Sequence, residues 1–218
     1  MILAAGRGER MRPLTDATPK PLLEVGGKPL IAWLIEALAR ASFRELVINV
    51  SHLGSRVESA LGDGRRWNMR IRYSHELEAL ETAGGIANAL PLLGRDPFVV
   101  VNGDVHTDFD FSTLSAPQGD ALAHLVLIDN PSHHPGGDFA LENGRIALDG
   151  APRYTFSGIG VYHPSLFSEI PAGAKYQLAA VLKPNIAAGR VTGEHFAGRW
   201  CDVGTPDRLK ALDRALRS

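Results

Sequence analysis

Apolar residues fall along this chain in two alternating rhythms. Short apolar runs at 1–5, 46–50 and 98–101, interrupted only by Asn49, read as strands buried on both faces. Between them the spacing turns helical. Leu30, Leu34 and Leu38, with Ile31 and Ile35 beside them, lie between Pro29 and Ser42 as one face of a helix. Residues 55–61 read as a second helix, broken by Gly62-Asp63-Gly64, and 82–93 as a third with Ile86, Leu90 and Leu93 on one face. Positions 69–73 alternate apolar and basic side chains, the period of a half-exposed strand. The first half therefore predicts four strands separated by three helices. Short connections in that order imply a parallel sheet, right-handed crossovers and helices on both faces.

The second half changes rhythm. Residues 121–128, 139–141, 146–148 and 154–162 predict strands joined by turns rich in Gly, Pro, Asn and Asp. A helix at 178–188, a strand at 191–196 and a closing helix at 206–216 follow, the last opened by Pro206, a residue suited to a first helical turn. No linker, repeat or low-complexity tract interrupts residues 1–218. The expectation is one α/β domain with a Rossmann-like, mixed but mostly parallel sheet whose second half carries antiparallel strands. A central strand starting at residue 1 is abrupt, and suggests a natural chain that starts a few residues earlier.

Composition narrows the class. Apolar residues make up 44% and charged residues 22%, which excludes wholesale disorder. The longest apolar run, 30–35, has six residues; a membrane span needs about 20. No charged-then-apolar leader is present, so a cytoplasmic setting is expected. A single cysteine, Cys201, excludes a disulfide framework and a Cys-rich zinc module. The 23 basic and 24 acidic residues nearly cancel, which argues against a nucleic-acid surface. Any anionic ligand must then be met by a few placed groups, since the overall field supplies no attraction.

Candidate chemistry begins at Gly6-Arg7-Gly8-Glu9-Arg10, after the first strand. Two glycines let backbone N–H groups approach a phosphate. The dinucleotide fingerprint fails, because Met11 stands where its third glycine belongs; the P-loop fails, because Pro29 follows Gly27-Lys28. Arg7, Arg10, Arg12, Lys20 and Lys28 cluster here, and Pro13, Pro19 and Pro21 stiffen the segment. An anion cradle fits better than a plain basic loop. Asp104 follows a very apolar strand, at the end where parallel sheets bind ligands; it could hold Mg²⁺ or cap its own turn. Asp202 lies in a turn before the closing helix, with Thr205 as N-cap. Asp108 and Asp110 form a D-x-D, the metal pattern of many glycosyltransferases, but read better as a turn. The eight histidines show no zinc spacing apart from the loop pair His133-His134. Thr82 is a plausible N-cap, and Gly84-Gly85 would serve a close approach, since glycines cost helix stability.

Leu3-Ala4-Ala5-Gly6-x-Gly8-x-Arg10-Met11-x-Pro13-Leu14-Thr15, followed by Pro19-Lys20-Pro21-Leu22, resembles the signature of the sugar-1-phosphate nucleotidylyltransferases, with Glu9 in place of a common Thr. The resemblance implies the nucleotide-diphospho-sugar transferase (GT-A-like) fold. It also implies a reaction of a nucleoside triphosphate with a sugar 1-phosphate that gives nucleotide-sugar and pyrophosphate. By resemblance, the nucleotide is met by Leu3, Ala4, Ala5, Gly6, Gly8, Glu9, Arg10, Lys20, Glu81, Gly84 and Asn102, with Arg10 and Lys20 as the catalytic cations. Mg²⁺ is implied on Asp104, in Asn102-Gly103-Asp104, and on Asp202, in the W-x-D-x-G-T-P stretch. Asn102, Gly137, Asp138, Ser157 and Gly158 are implied for the sugar.

Glu81-Thr82-x-Gly84-Gly85 is similar to the form in uridylyltransferases acting on N-acetylmuramic acid 1-phosphate. That implies UTP and this sugar phosphate as substrates, in peptidoglycan recycling. No nucleic-acid or membrane partner is implied, and a monomer or small homo-oligomer fits. Mannose-1-phosphate guanylyltransferase and glucose-1-phosphate thymidylyl- or uridylyltransferase remain alternatives. So do a glycosyltransferase and a non-catalytic regulatory subunit of this fold. Larger relatives carry a Glu-Lys-Pro triplet whose Lys grips the sugar phosphate; this chain has none, so Arg153, Lys175 or another cation takes that place. The chain stops after its closing helix, without the β-helix domain of bifunctional relatives. The substrates together carry about six negative charges, which Mg²⁺ and the cations between Arg7 and Lys28 would have to meet.

Overall fold

A computed structural model describes residues 1–217. The chain runs β1 (Ile2–Leu3), α1 (Leu14–Ala17), β2 (Glu24–Val25), β3 (Lys28–Pro29), α2 (Leu30–Arg40), β4 (Glu45–Val50), α3 (Gly54–Leu61), β5 (Arg70–His75), α4 (Glu81–Leu93), β6 (Phe98–Asn102) and β7 (Val105–Thr107). It continues through β8 (Ala123–Ile128), β9 (Phe139–Glu142), β10 (Arg145–Ala147), β11 (Arg153–Tyr162), α5 (Leu178–Ala187), β12 (Val191–Phe196), β13 (Trp200–Asp202) and α6 (Pro206–Arg217).

Nine strands form the main sheet in the order β5-β4-β1-β6-β11-β8-β12-β10-β9. The first four pair in parallel, as their alternation with helices requires. β11 then joins antiparallel to β6 and to β8. The second half is not uniformly antiparallel, because β12 returns parallel to β8; β11 runs the other way, so the chain has already turned back before α5 leads into β12. β1 is shorter than its apolar run, since beyond Leu3 the Ala4 N–H leaves the ladder and donates to Asn49 Oδ1 at 2.7 Å.

Side chains alternate across the sheet with period two. Leu46, Ile48 and Val50 of β4, with Val99 and Val101 of β6, face α2 and α3. Val47, Phe98 and Val100 face the opposite way, into a cluster with Ala83 and Ile86 of α4 and Val181, Leu182 and Ile186 of α5. A third, small cluster lies off the sheet. It gathers Met11, Leu23, Val25, Leu30 and Val203, with Leu209, Leu212 and Leu216 of α6 packed against it. Those leucines recur at helical spacing. The cluster fastens the Gly-rich loop to the end of β13, and so joins two stretches that lie far apart in sequence.

Candidate active site

A cleft of about 400 Å³ opens at the carboxyl ends of β1, β4 and β6, the end where parallel sheets bind ligands. Leu3, Ala4, Ala5, Gly6, Lys20, Glu81, Asn102 and Asp104 all line it, so eight residues expected at the site converge on one cavity. Gly8, Glu9 and Arg10 lie on the loop above rather than in its lining. Gly8 takes a left-handed conformation, φ +68°, and a Cβ there would sit 3.0 Å from Thr15 Cγ2 and 3.2 Å from Lys20 Cβ; both constraints call for glycine. Its carbonyl accepts from Thr15 Oγ1 at 2.8 Å and from the Met11 N–H at 2.9 Å. Residues 9–11 make one 3₁₀ turn, driven by Met11 plugging into the third cluster. Arg7 and Arg10 are left exposed at the rim.

Two polar lining residues escaped the sequence reading, Asn49 and Glu76. Asn49 is a buried amide inside the apolar run of β4, and a polar residue there was the missed signal. Its Oδ1 accepts from Ala4 N, and its Nδ2 donates to Glu76 Oε1 at 2.7 Å. Glu76 is 5% exposed, and its Oε2 accepts from the Leu80 N–H at 2.9 Å. Burial pushes this carboxyl above its ordinary value, while the bonds from Asn49 and Leu80 pull it back. Three strand ends and the loop before α4 are thus stitched together by two side chains.

The glycines of α4 serve this packing. A Cβ on Gly85 would meet Glu76 Oε1 at 2.7 Å, and one on Gly84 would meet Ala174 O at 2.2 Å. Gly84 is therefore buried against the segment before α5, and its close approach is to the protein rather than to the cleft. Thr82 is not the N-cap; the helix begins at Glu81, after Leu80, with no side-chain cap.

Asp104 Oδ2 accepts from Lys20 Nζ at 2.5 Å, across 84 positions of sequence. Asp202 arrives from the other side. β13 pairs with β7 so that Asp202 opposes Val105, and the Val203 N–H donates to Asp104 O at 2.8 Å. The two carboxylate-bearing segments are thus adjacent rungs. Asp202 Oδ1 accepts a very short bond from Arg208 Nη1 and lies 3.1 Å from His133 Nε2. Arg208 stands in the first turn of α6, where its own N–H reaches Thr205 Oγ1 at 3.4 Å, the capping contact expected of Thr205. Cys201 beside them is held as a neutral thiol, pushed up to about 11 by burial first and by the Asp202 charge second.

On the far rim the expected sugar contacts are largely committed to the fold. Ser157 is buried; its hydroxyl donates to Val126 O at 2.7 Å and accepts from the Ile159 N–H at 3.1 Å, across an irregularity in the β8–β11 pairing. It holds the strand rather than lining a pocket. Gly158, at φ +80°, packs on Asn102, where a Cβ would lie 2.5 Å from Nδ2. Gly137 packs against Tyr154 O. The Asp138 carboxylate takes the Phe156 N–H at 2.8 Å and faces His134 Nε2 at 3.1 Å. Arg153 donates to Leu148 O and Asp138 O, and Lys175 pairs with Glu78 at 2.6 Å; neither cation is free for a phosphate. Lys28 pairs with Glu36 and lies 3.6 Å above the Trp33 ring, so it leaves the cradle. Asp108 receives the Arg199 N–H at 2.7 Å and Asp110 the Ser112 N–H at 2.9 Å; both are turn residues.

A family model described as nucleotidyl transferase matches residues 1–139. The chain is 54% identical over 218 residues to the N-acetylmuramate alpha-1-phosphate uridylyltransferase of Neisseria meningitidis, covering 96% of this chain and 94% of that protein. To the protein of the same name from Caulobacter vibrioides it is 33% identical over 232 residues, covering 99% and 96%. A solved structure of a putative glucose-1-phosphate thymidylyltransferase from Bacillus anthracis, in complex with a sucrose, superposes with a TM-score of 0.85. It covers 100% of this chain and 94% of that one at 23% identity, a likeness of fold.

Proposed function

The chain belongs to the sugar-1-phosphate nucleotidyltransferase family, and from that premise we propose that it joins UTP to N-acetylmuramic acid α-1-phosphate, releasing pyrophosphate. The observation that carries this reading is the meeting of Gly6, Lys20 and Asp104 in one cleft at the strand ends. The choice of base and sugar rests on the names of the two relatives.

The chemistry asks for charge rather than for a base. A phosphate monoester has its second pKa near 6, so the sugar 1-phosphate is already mostly dianionic at neutral pH. One of its oxygens attacks the α-phosphorus; the bond from that phosphorus to the bridging oxygen breaks, and pyrophosphate leaves with the electron pair. No Ser, Cys or His nucleophile is needed, and the neutral Cys201 thiol offers none. Backbone N–H groups around Gly6 and Gly8 orient the triphosphate, and Lys20 and Arg10 neutralise its charge. Asp104 and Asp202 present hard carboxylate oxygens, a donor set suited to Mg²⁺ completed by phosphate oxygens and water. Among the described residues no group of three or more His, Cys, Asp or Glu side chains assembles a closed metal shell, so the substrate would complete it. Bound there, the ion supplies positive charge at the reacting phosphates.

The glycosyltransferase reading loses ground, because Asp108 and Asp110 are spent on turns. The regulatory reading expects loss of Arg10, Lys20, Asp104 or Asp202, and all four stand in the sequence. No helix among the described residues is long and apolar enough to cross a membrane; we read the setting as cytoplasmic and the unit as one nucleotidyltransferase domain. Pyrophosphate release from UTP, GTP, dTTP and CTP with a panel of sugar 1-phosphates tests the proposal. Release with UTP and N-acetylmuramic acid 1-phosphate above all other pairs is expected; a preference for another pair overturns the choice of base or sugar.

A further inference from the structure

The reaction needs a cation where the sugar phosphate enters, and the triplet that carries one in larger relatives is missing here. We infer that Arg208 grips the phosphate of the sugar 1-phosphate. This inference rests on the uridylyltransfer reading above.

Arg7 and Arg10 lie exposed on the Gly-rich loop, and the remaining cations near the site are engaged. Lys20 holds Asp104 on the nucleotide side. Arg153 spends both terminal nitrogens on backbone carbonyls, and Lys175 and Lys28 each hold a glutamate. Arg199 is on Asp108. Arg208 differs in place and in what it leaves free. It meets Asp202, whose strand lies beside the turn of Asp104.

Its bonds to Asp202 and His133 all run through Nη1; Nη2 and Nε meet no acceptor among the described residues. The guanidinium lies against Gly204, where a Cβ would come within 2.4 Å of Nη2 and 3.1 Å of Cζ. His133 Nε2 braces it at 2.8 Å from the loop that leads into β9. A guanidinium held at one nitrogen by two neighbours, with the Nη2–Nε edge unspent, is suited to a forked pair of bonds to phosphate oxygens. It is also only partly exposed, 24% at the side chain, so solvent screens it less than a surface cation. The W-x-D-x-G-T-P stretch and the first turn of α6 would thus carry two functions six residues apart: Asp202 for the metal and Arg208 for the nucleophile.

Steady-state kinetics of Arg208→Gln and Arg208→Lys against wild type test this, with UTP and N-acetylmuramic acid 1-phosphate varied in turn. Calorimetric titration of that sugar phosphate into protein saturated with a non-hydrolysable UTP analogue gives a readout apart from turnover. The expected result for Arg208→Gln is a rise of about tenfold or more in KM and Kd for the sugar phosphate, the size of a charged hydrogen bond, with KM for UTP within about twofold. Arg208→Lys, which keeps the charge and loses the fork, falls between, and remains readable should Arg208→Gln melt early. Unchanged KM for the sugar phosphate with a raised Mg²⁺ requirement would make Arg208 a positioning residue for Asp202 and overturn the inference, as would equal rises in both KM values. Wild-type protein that releases no pyrophosphate from UTP with any sugar 1-phosphate would sink the parent reading, and this one with it.

Discussion

Where the nucleotide is expected, the cleft wall is the contiguous stretch from Leu3 to Gly6, backed by Met11 anchored in an apolar cluster. Where the sugar is expected, Asp202 meets Arg208 and His133, and Asp138 meets His134 and the Phe156 N–H. One wall is contiguous sequence with locally dictated geometry. The other is a set of charges drawn from separated segments, each holding its neighbour. The first tolerates change in exposed side chains and resists change at glycines. In the second, removing one partner leaves a half-buried charge uncompensated.

Substitutions can press on that contrast. Asp104→Ala should cost the most, a loss of at least about a hundredfold in turnover with the melting temperature retained; near-normal pyrophosphate release would remove Asp104 from the chemistry. Gly84→Ala should act on the fold instead, because its new methyl meets a backbone carbonyl. A destabilisation of about 1–3 kcal/mol is expected in denaturant melts, and an unchanged midpoint would refute the packing argument. Arg10→Ala, at an exposed position, should raise KM for UTP roughly tenfold, and leave stability alone.

Glu76→Gln probes the buried carboxyl that ties β4 to the loop before α4. Its value is raised in the fold, so the protonated form is favoured. Its contribution is fully present below the ordinary 4.5 and is lost as pH climbs through the raised value. Melting temperatures measured from acid to neutral pH should show the variant gaining on wild type as pH rises; a gap independent of pH would contradict a raised carboxyl. Lys28→Ala should change least, less than about twofold in KM for UTP, because Lys28 serves Glu36 and Trp33. A large kinetic effect there would restore it to the cradle.

The legibility of the site followed the same divide. Parallel order in the first four strands could be read from alternating periods, because three of them are near-continuous apolar runs, the fourth alternates, and each crossover is a helix. Lys20 and Asp104 could be read because they flank short rigid motifs. Asn49 is marked in the sequence as the one polar residue of the run 46–50, whereas Glu76, just past β5, breaks no pattern. The fate of Lys28, Arg153 and Lys175 was equally hidden. A cation's partner depends on tertiary neighbours, and Glu78 and Lys175 lie 97 positions apart. The parallel return of β12 depends on β11 having reversed the chain beforehand, a strand direction that composition does not announce. Thr82 misled because a capping residue type sat one position inside a helix that starts without a cap.

Met11 and Val203 share one small apolar cluster with the leucines of α6. The Gly-rich loop and the turn bearing Asp202 are thereby mechanically one piece, clamped by the leucine face of a helix whose first turn carries Arg208. Redesign for a new sugar is then best confined to the rim loop ahead of β9, outside that clamp, with His133 kept because it braces Arg208.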